Sequence, residues 1–142
     1  MAPRTVATLR DHARDMFMSA LKAVDPKEAV HRFMRLDGNC LTIHHSQVSL
    51  ADVDRICVVG CGKAAIPMAS AVEAILGERI TDGTINIKSG SPGSLKRIRT
   101  VPASHPIPDE VGVQGARDIV RMVSECGERD LVICLISGGG SA

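Results

Sequence analysis

Aromatic side chains are almost absent from this 142-residue chain, which has two Phe, no Tyr and no Trp. Proteins that bind single-stranded nucleic acids stack the bases on such rings, so this class of function is disfavoured. A large excess of either charge is also missing, because 17 basic residues are balanced by 16 acidic ones. Nucleic acids and anionic membranes are recognised through clustered basic charge. The composition therefore predicts neither a nucleic-acid partner nor a membrane partner.

Long apolar runs are missing too, and no window reaches the length of a transmembrane helix. The first 17 residues contain three Arg but no apolar signal-peptide core. Asp11 and Asp15 also argue against a transit peptide, since such peptides are poor in acidic residues. We predict a cytoplasmic location.

The five cysteines form an odd set and lack the spacing of a metal site. Cys57 and Cys61 are separated by three residues, but no second Cys or His pair with ligand spacing accompanies them. We therefore predict no metal ligands among these cysteines, and reduced thiols. Cys57 and Cys134 lie in apolar runs, where free cysteine behaves as a small hydrophobic residue.

Aliphatic residues supply the core, and the chain has the length of one ordinary domain. A core of branched aliphatic residues is typical of a parallel sheet covered by helices. Residues 1–38 are predicted as a helical extension packed against that sheet. Its first helix covers Thr5–Val24, and its second runs from Pro26 through Met34 and ends near Asp37. Met16, Met18 and Met34 are predicted to fill the core.

Residues 39–142 alternate apolar strand-like runs with helical patterns. The predicted strands are Leu41–His44, Arg55–Gly60, Thr84–Lys88, Ile98–Val101 and Leu131–Ile136. The predicted helices are Lys63–Leu76 and a segment that Asp109 caps and that runs to about Cys126. The inner face of the second helix is predicted to carry Val113, Ala116, Ile119, Val120 and Val123. This order predicts an α/β fold of Rossmann-like, doubly wound type, with a mostly parallel sheet and helices on both faces.

A first glycine loop, Gly60-Cys61-Gly62-Lys63, joins a predicted strand to a predicted helix. Ligands of open α/β sheets bind at the carboxyl ends of the strands, where helix N-termini attract anions. Lys63 at a helix N-terminus is unfavourable for the helix by roughly a few tenths of a kcal/mol. We therefore predict that Gly60, Gly62 and Lys63 bind a phosphate or carboxylate.

Two nucleotide-binding motifs were compared with this loop. The P-loop fails, because Cys57 stands where its first glycine is required and Ala64 where its Ser or Thr is required. The dinucleotide fingerprint is matched by Gly60, Gly62 and Ala65. Its acidic partner should end the next strand, but Lys88 stands there, which disfavours NAD and leaves NADP open.

A second glycine loop follows the last predicted strand. Its backbone N–H groups and hydroxyls would form a cradle for a phosphate or carboxylate. The predicted binding residues are Ser137, Gly138, Gly139, Gly140 and Ser141. His105 is a further candidate for acid–base chemistry, whereas His44 and His45 are interpreted as structural. Because the sequence stops within this loop, we expect a fragment whose remainder supplies more sheet and a second domain.

Three segments, in order, resemble the class II glycerate kinases, a family that older descriptions often called hydroxypyruvate reductases. They are Val58–Ala65, His105–Glu110 and Asp130–Ala142. The resemblance implies ATP-dependent phosphorylation of D-glycerate, usually to 2-phosphoglycerate, with Mg²⁺. It also implies that Lys63 is the family's functional lysine and the catalytic residue, that Ser137–Ser141 is its anion loop, and that a second domain is missing from this chain.

Some alternatives stay open on the sequence. Lys63 could contact an ATP phosphate or the glycerate carboxylate, either hydroxyl could be phosphorylated, and the chain could form a homo-oligomer. Without its missing part, the chain is expected to be inactive. The other functions considered are an NAD(P)-dependent hydroxypyruvate reductase and a non-catalytic module that binds phosphate or a nucleotide.

Overall fold

The computed structural model describes residues 5–137. Four helices lie in this range, α1 (Val6–Ala23), α2 (Pro26–Phe33), α3 (Ala65–Leu76) and α4 (Glu110–Ser124). Seven strands accompany them, β1 (Met34–Asp37), β2 (Cys40–Ile43), β3 (Ser46–Ser49), β4 (Arg55–Cys61), β5 (Asp82–Lys88), β6 (Arg99–Ala103) and β7 (Asp130–Ile136). None of the described helices is long and apolar enough to cross a membrane.

The larger sheet has the strand order β6-β5-β4-β7, and its neighbouring strands are all parallel. From β4 the chain passes through α3 to β5 and β6, and then through α4 to β7 on the other side of β4. The direction of winding therefore reverses at β4. This confirms the predicted α/β fold with a parallel sheet and helices on both faces.

The core lies between α3 and one face of the larger sheet. Ile56, Val58, Ile85 and Ile133 project from this face and pack with the buried side of α3. Branched aliphatic residues suit strands that are buried on a helix-covered face. This layer fixes the position of β4 and of the loop that follows it.

The other face of the sheet is covered by α4, which approaches β5 and β6 closely. A Cβ atom added to Gly115 would overlap the side chains of Asn86 and Val101. The helix therefore packs through glycine, and the predicted inner face was wrong in part. Val113, Ala116, Val120 and Val123 are exposed, whereas Ile119 is half-buried.

The prediction for residues 26–38 was also wrong in part. The second helix ends at Phe33, and Met34 begins a three-stranded antiparallel sheet of order β1-β2-β3. β2 agrees with the predicted strand at Leu41–His44, but β1 and β3 were not predicted. Register explains their formation, because each of their residues pairs with a residue of β2.

The first helix was predicted correctly in its extent but not in its packing. None of the residues of α1 is buried, and Met16 and Met18 are exposed, contrary to their predicted role in the core. Met34 is buried, as predicted. Of the two N-terminal helices, α2 is the one that packs against α3.

Candidate functional site

The first glycine loop lies at the carboxyl end of β4, where the strand order places the crevice of a doubly wound sheet. Gly60 is buried, and a Cβ atom there would overlap the carbonyl oxygen of Leu135 in β7. Gly62 has φ of 113°, a conformation that favours glycine. Its amide donates a hydrogen bond to the carbonyl oxygen of Asn86 at 3.2 Å. Close approach to β7 and the positive φ angle thus explain the two glycines.

Lys63 lies in the turn before α3 rather than in its first turn. The helix begins at Ala65, two residues later than predicted, and no side chain caps it. Its first turn contains no acidic residue. The Lys63 side chain is exposed, and it forms no ion pair with another residue of the described range 5–137. The ammonium group is therefore free to meet a ligand.

The structure places Ser137, the first residue of the second predicted loop, against the first loop. A Cβ atom on Gly62 would overlap Oγ of Ser137, so the serine hydroxyl lies directly against the Gly62 backbone. This contact follows from β7 pairing with β4 up to Cys61 and Ile136. The other predicted members of the second loop, Gly138, Gly139, Gly140 and Ser141, lie outside the described residues.

A cavity of about 200 Å³ opens beside the first loop, on the α4 side of the sheet. The cavity is lined by residues at the ends of β4, β5 and β6 or just after these strands, and by residues at the N-terminus of α4. The charged and polar residues that line it include Lys63, Asn86, Lys88, Ser104, His105 and Asp109. Ser137 is not among its lining residues.

His105 enters this cavity from the loop that joins β6 to α4. It is half-buried, and its peptide bond to Pro106 is cis. The structure thus places His105 in the same cavity as Lys63, as the sequence could not show. His44, interpreted as structural, packs instead against His45 and Phe33.

Asp109 caps α4 with one carboxylate oxygen and fastens the preceding loop with the other. Oδ1 accepts from the Gly112 amide at 2.9 Å, and Oδ2 accepts from the Ser104 amide at 3.1 Å. The Gly112 hydrogen bond, followed by those from Ser104, holds the pKa of the Asp109 carboxyl below its usual range. Asp109 was correctly predicted as a helix cap, and it stays ionised within the cavity wall.

Asn86 joins the two walls of the cavity, and sequence reasoning missed it. Its backbone carbonyl accepts from Gly62, and its Nδ2 donates to the Gly112 carbonyl at 2.9 Å. Its Oδ1 is buried and has no hydrogen-bond partner among the described residues. Asn86 therefore ties the first glycine loop to the first turn of α4. An amide inside a run of apolar strand residues was the signal available in the sequence.

The described part of the cavity offers Mg²⁺ one carboxylate. This ion takes oxygen ligands, and in kinase sites it is bound through one or two carboxylates together with substrate phosphates and water. Asp109 is the single acidic residue of the lining, and each of its oxygens accepts a backbone hydrogen bond. Among residues 5–137, no three His, Cys, Asp or Glu side chains cluster as metal ligands would. The described residues alone therefore do not form a metal centre.

The fold and this cavity define an α/β protein with a ligand cavity at the carboxyl ends of a parallel sheet. The chain belongs to the family described as Domain of unknown function (DUF4147), whose model matches residues 12–142.

Two curated relatives show what this chain is similar to. A glycerate 2-kinase from Pyrococcus horikoshii is 37% identical over 123 residues, which cover 87% of this chain and 27% of the relative. A protein of Agrobacterium vitis, provisionally named a hydroxypyruvate reductase, is 36% identical over 94% of this chain and 27% of its own length. The chain thus spans about a quarter of the length of the relatives that it matches.

Two solved structures share the fold. A crystal structure of a protein from Pyrococcus horikoshii matches all of this chain and 31% of its own, with a TM-score of 0.82 and 34% identity. The crystal structure of glycerate kinase from Thermotoga maritima matches 94% of this chain and 29% of its own, with a TM-score of 0.73 and 29% identity. These matches confirm the resemblance to glycerate kinases inferred from the three sequence segments.

Proposed function

We propose that this chain forms part of an ATP-dependent kinase that phosphorylates D-glycerate to 2-phosphoglycerate. The observation that carries the proposal is Lys63, an exposed lysine without an ion pair in the described range, on a glycine turn at the carboxyl end of β4. The similarity to a glycerate 2-kinase supports the choice of reaction and of product.

The chemistry asks for positioning and for neutralisation of charge. The terminal phosphoryl group of ATP passes to a hydroxyl of glycerate, ADP leaves, and the proton of the hydroxyl goes to a base. Lys63 neutralises charge on the transferred group or on the carboxylate of glycerate. Gly60 and Gly62 let the backbone approach the ligand, and His105 is the imidazole that accepts the proton. The second glycine loop, Ser137–Ser141, contributes further N–H donors.

A reductase is the second candidate, and it has a specific observation in its favour, the provisional name of the Agrobacterium vitis relative. The cavity argues against the NAD-dependent form of this reductase and leaves the NADP-dependent form open. Dinucleotide sites place an acidic side chain at the end of the second strand to bind the ribose, and β5 ends in Lys88.

A coupled assay on the complete polypeptide that carries this chain tests the two functions together. We expect ADP release that requires both ATP and D-glycerate, with a product that phosphorus NMR identifies as the 2-phosphate. Release of ADP without dependence on D-glycerate contradicts the proposal. Oxidation of NADH or NADPH by hydroxypyruvate in the absence of ATP would establish the reductase instead.

A further inference from the structure

Lys88 delivers a second ammonium group to the cavity that Lys63 lines. β4 and β5 are parallel neighbours, and Cys61 is paired with Asn86. Each lysine follows its member of this pair by two residues. Because adjacent strands are about 5 Å apart, the two side chains leave the same edge of the sheet close together.

Neither of these two charges is paired with a carboxylate of the described range. Asp109 is the acidic residue of the cavity lining, and its oxygens accept hydrogen bonds from the Gly112 and Ser104 amides rather than pairing with either lysine. Lys88 is exposed and, like Lys63, forms no ion pair with any residue in the range 5–137.

We propose that Lys88 is a second anion-binding residue and that, with Lys63, it holds the phosphate chain of the nucleotide. This rests on the proposed kinase function and adds to it a residue and a ligand group. A monocarboxylate such as glycerate can neutralise one ammonium group, whereas a polyphosphate neutralises both. A cavity of about 200 Å³ is smaller than the roughly 300–1,000 Å³ of sites for drug-sized ligands, so it takes the phosphates and not the whole nucleotide.

Calorimetric titration of the complete protein with inorganic tripolyphosphate, and separately with D-glycerate, tests this assignment without turnover. We expect Lys88→Gln to weaken tripolyphosphate binding at least tenfold and to leave glycerate binding within twofold. Lys88→Arg keeps the charge and should restore most of the affinity. Lys96→Gln is the matched control, because Lys96 is exposed and lies outside the cavity lining.

A second measurement uses the unmodified protein, so it does not depend on whether the variants fold. In the unmodified protein, tripolyphosphate should slow acetylation of the Lys88 amine, followed by mass spectrometry, and should leave Lys96 unaffected. The proposal is overturned if tripolyphosphate does not bind, if Lys88→Gln binds it normally, or if the loss falls on glycerate. If Lys63→Gln loses tripolyphosphate binding and turnover while Lys88→Gln retains both, the role of Lys88 is refuted and the kinase function is not. Absence of glycerate-dependent ADP release from the wild type sinks the kinase function itself.

Discussion

Cationic side chains lie at both ends of the larger sheet, but the two groups differ in whether they are paired with carboxylates. At the carboxyl end, Lys63 and Lys88 line a cavity of about 200 Å³ without ion-pair partners in the described range. At the amino end, a larger cavity of about 320 Å³ is lined by Arg55, Arg99 and Arg121. Each of these arginines is paired with a carboxylate.

The pairs at the amino end are well defined. Arg55 donates through Nε and Nη2 to Oδ2 of Asp130, at 3.1 and 2.6 Å. Asp118 lies between Arg99, at 2.7 Å, and Arg121, at 2.9 Å. These arginines, through their hydrogen bonds first, hold the pKa of the Asp130 and Asp118 carboxyls below the usual range. The two cavities therefore differ in the pairing of their cations, and the proposed ligand site rests on this difference rather than on cavity size.

The largest expected effect is on turnover. Lys63→Ala in the complete protein should lower kcat by at least about a hundredfold, the scale of losing one charge-stabilising group. Arg121→Gln, at the amino end, should leave kcat within about threefold. Steady-state kinetics with ATP and D-glycerate measure both. Equal losses in the two variants would abolish the distinction between the ends.

The reactivity of the cysteine thiols should differ between the two ends of the sheet by a factor similar to the one expected for kcat. Cys57 lines the amino-end cavity, and burial, together with its hydrogen bond with Cys126, raises the pKa of its thiol to about 11. Cys61 lines the carboxyl-end cavity and is exposed. Since the thiolate is the reactive form, alkylation at pH 8 should be at least about a hundredfold slower at Cys57.

Peptide mass spectrometry after timed exposure to iodoacetamide measures the two rates. The unfolded chain in urea serves as the control, and there both cysteines should react alike. Comparable rates in the folded protein would contradict the burial of Cys57.

A smaller effect is expected on stability at the glycine loop. Gly62→Ala must tolerate a positive φ angle and displace Ser137, so it should lower the free energy of unfolding by about 2–3 kcal/mol. Gly38→Ala is the matched control, because Gly38 has φ of 56° and nothing within 4 Å of an added Cβ. It should cost only the backbone term, about 1 kcal/mol. Urea unfolding compares the two, and equal losses would mean that Ser137 does not lie against Gly62.

The smallest expected effect is on how the free energy of unfolding changes with pH. Because the folded state lowers the pKa of Asp109, its stabilising contribution is present above the unfolded value and is lost as pH falls through the folded one. Asp109→Asn keeps an acceptor for the Gly112 amide but replaces the acceptor of the Ser104 amide with an NH₂ group, so the variant should be less stable than the wild type at pH 7. Between pH 5 and 3, the variant should lose less stability than the wild type. Urea unfolding across this range measures the difference, and identical slopes would contradict the lowered pKa.

Periodicity predicted most of the larger sheet correctly, because its central strands are continuous apolar runs that end at glycine or a charged residue. It failed for β1 and β3, whose polar residues show little alternation and are held by their pairing with β2. It also misplaced the inner face of α4, since the valine stripe follows helical spacing while the helix actually approaches the sheet through Gly115.

The candidate site divides in the same way. Local sequence marked Gly60, Gly62 and Lys63, since a strand, a glycine turn and a helix are all encoded by neighbouring residues. It also marked Asp109 as a cap. In the sequence, Lys88 stands out only as the residue found where an acidic one is expected. Its closeness to Lys63 could not be predicted, because it depends on the pairing of β5 with β4.

By itself, the sequence determined the positions of the apolar strands, the glycine turn and the lysine on that turn, because each of these follows from the order of neighbouring residues. Only the tertiary structure decided which charges are paired within residues 5–137. Parallel pairing places Lys63 and Lys88 at one edge and distributes the arginine–carboxylate pairs to the other. Partners such as Arg55 and Asp130, 75 residues apart, meet only when β7 pairs with β4.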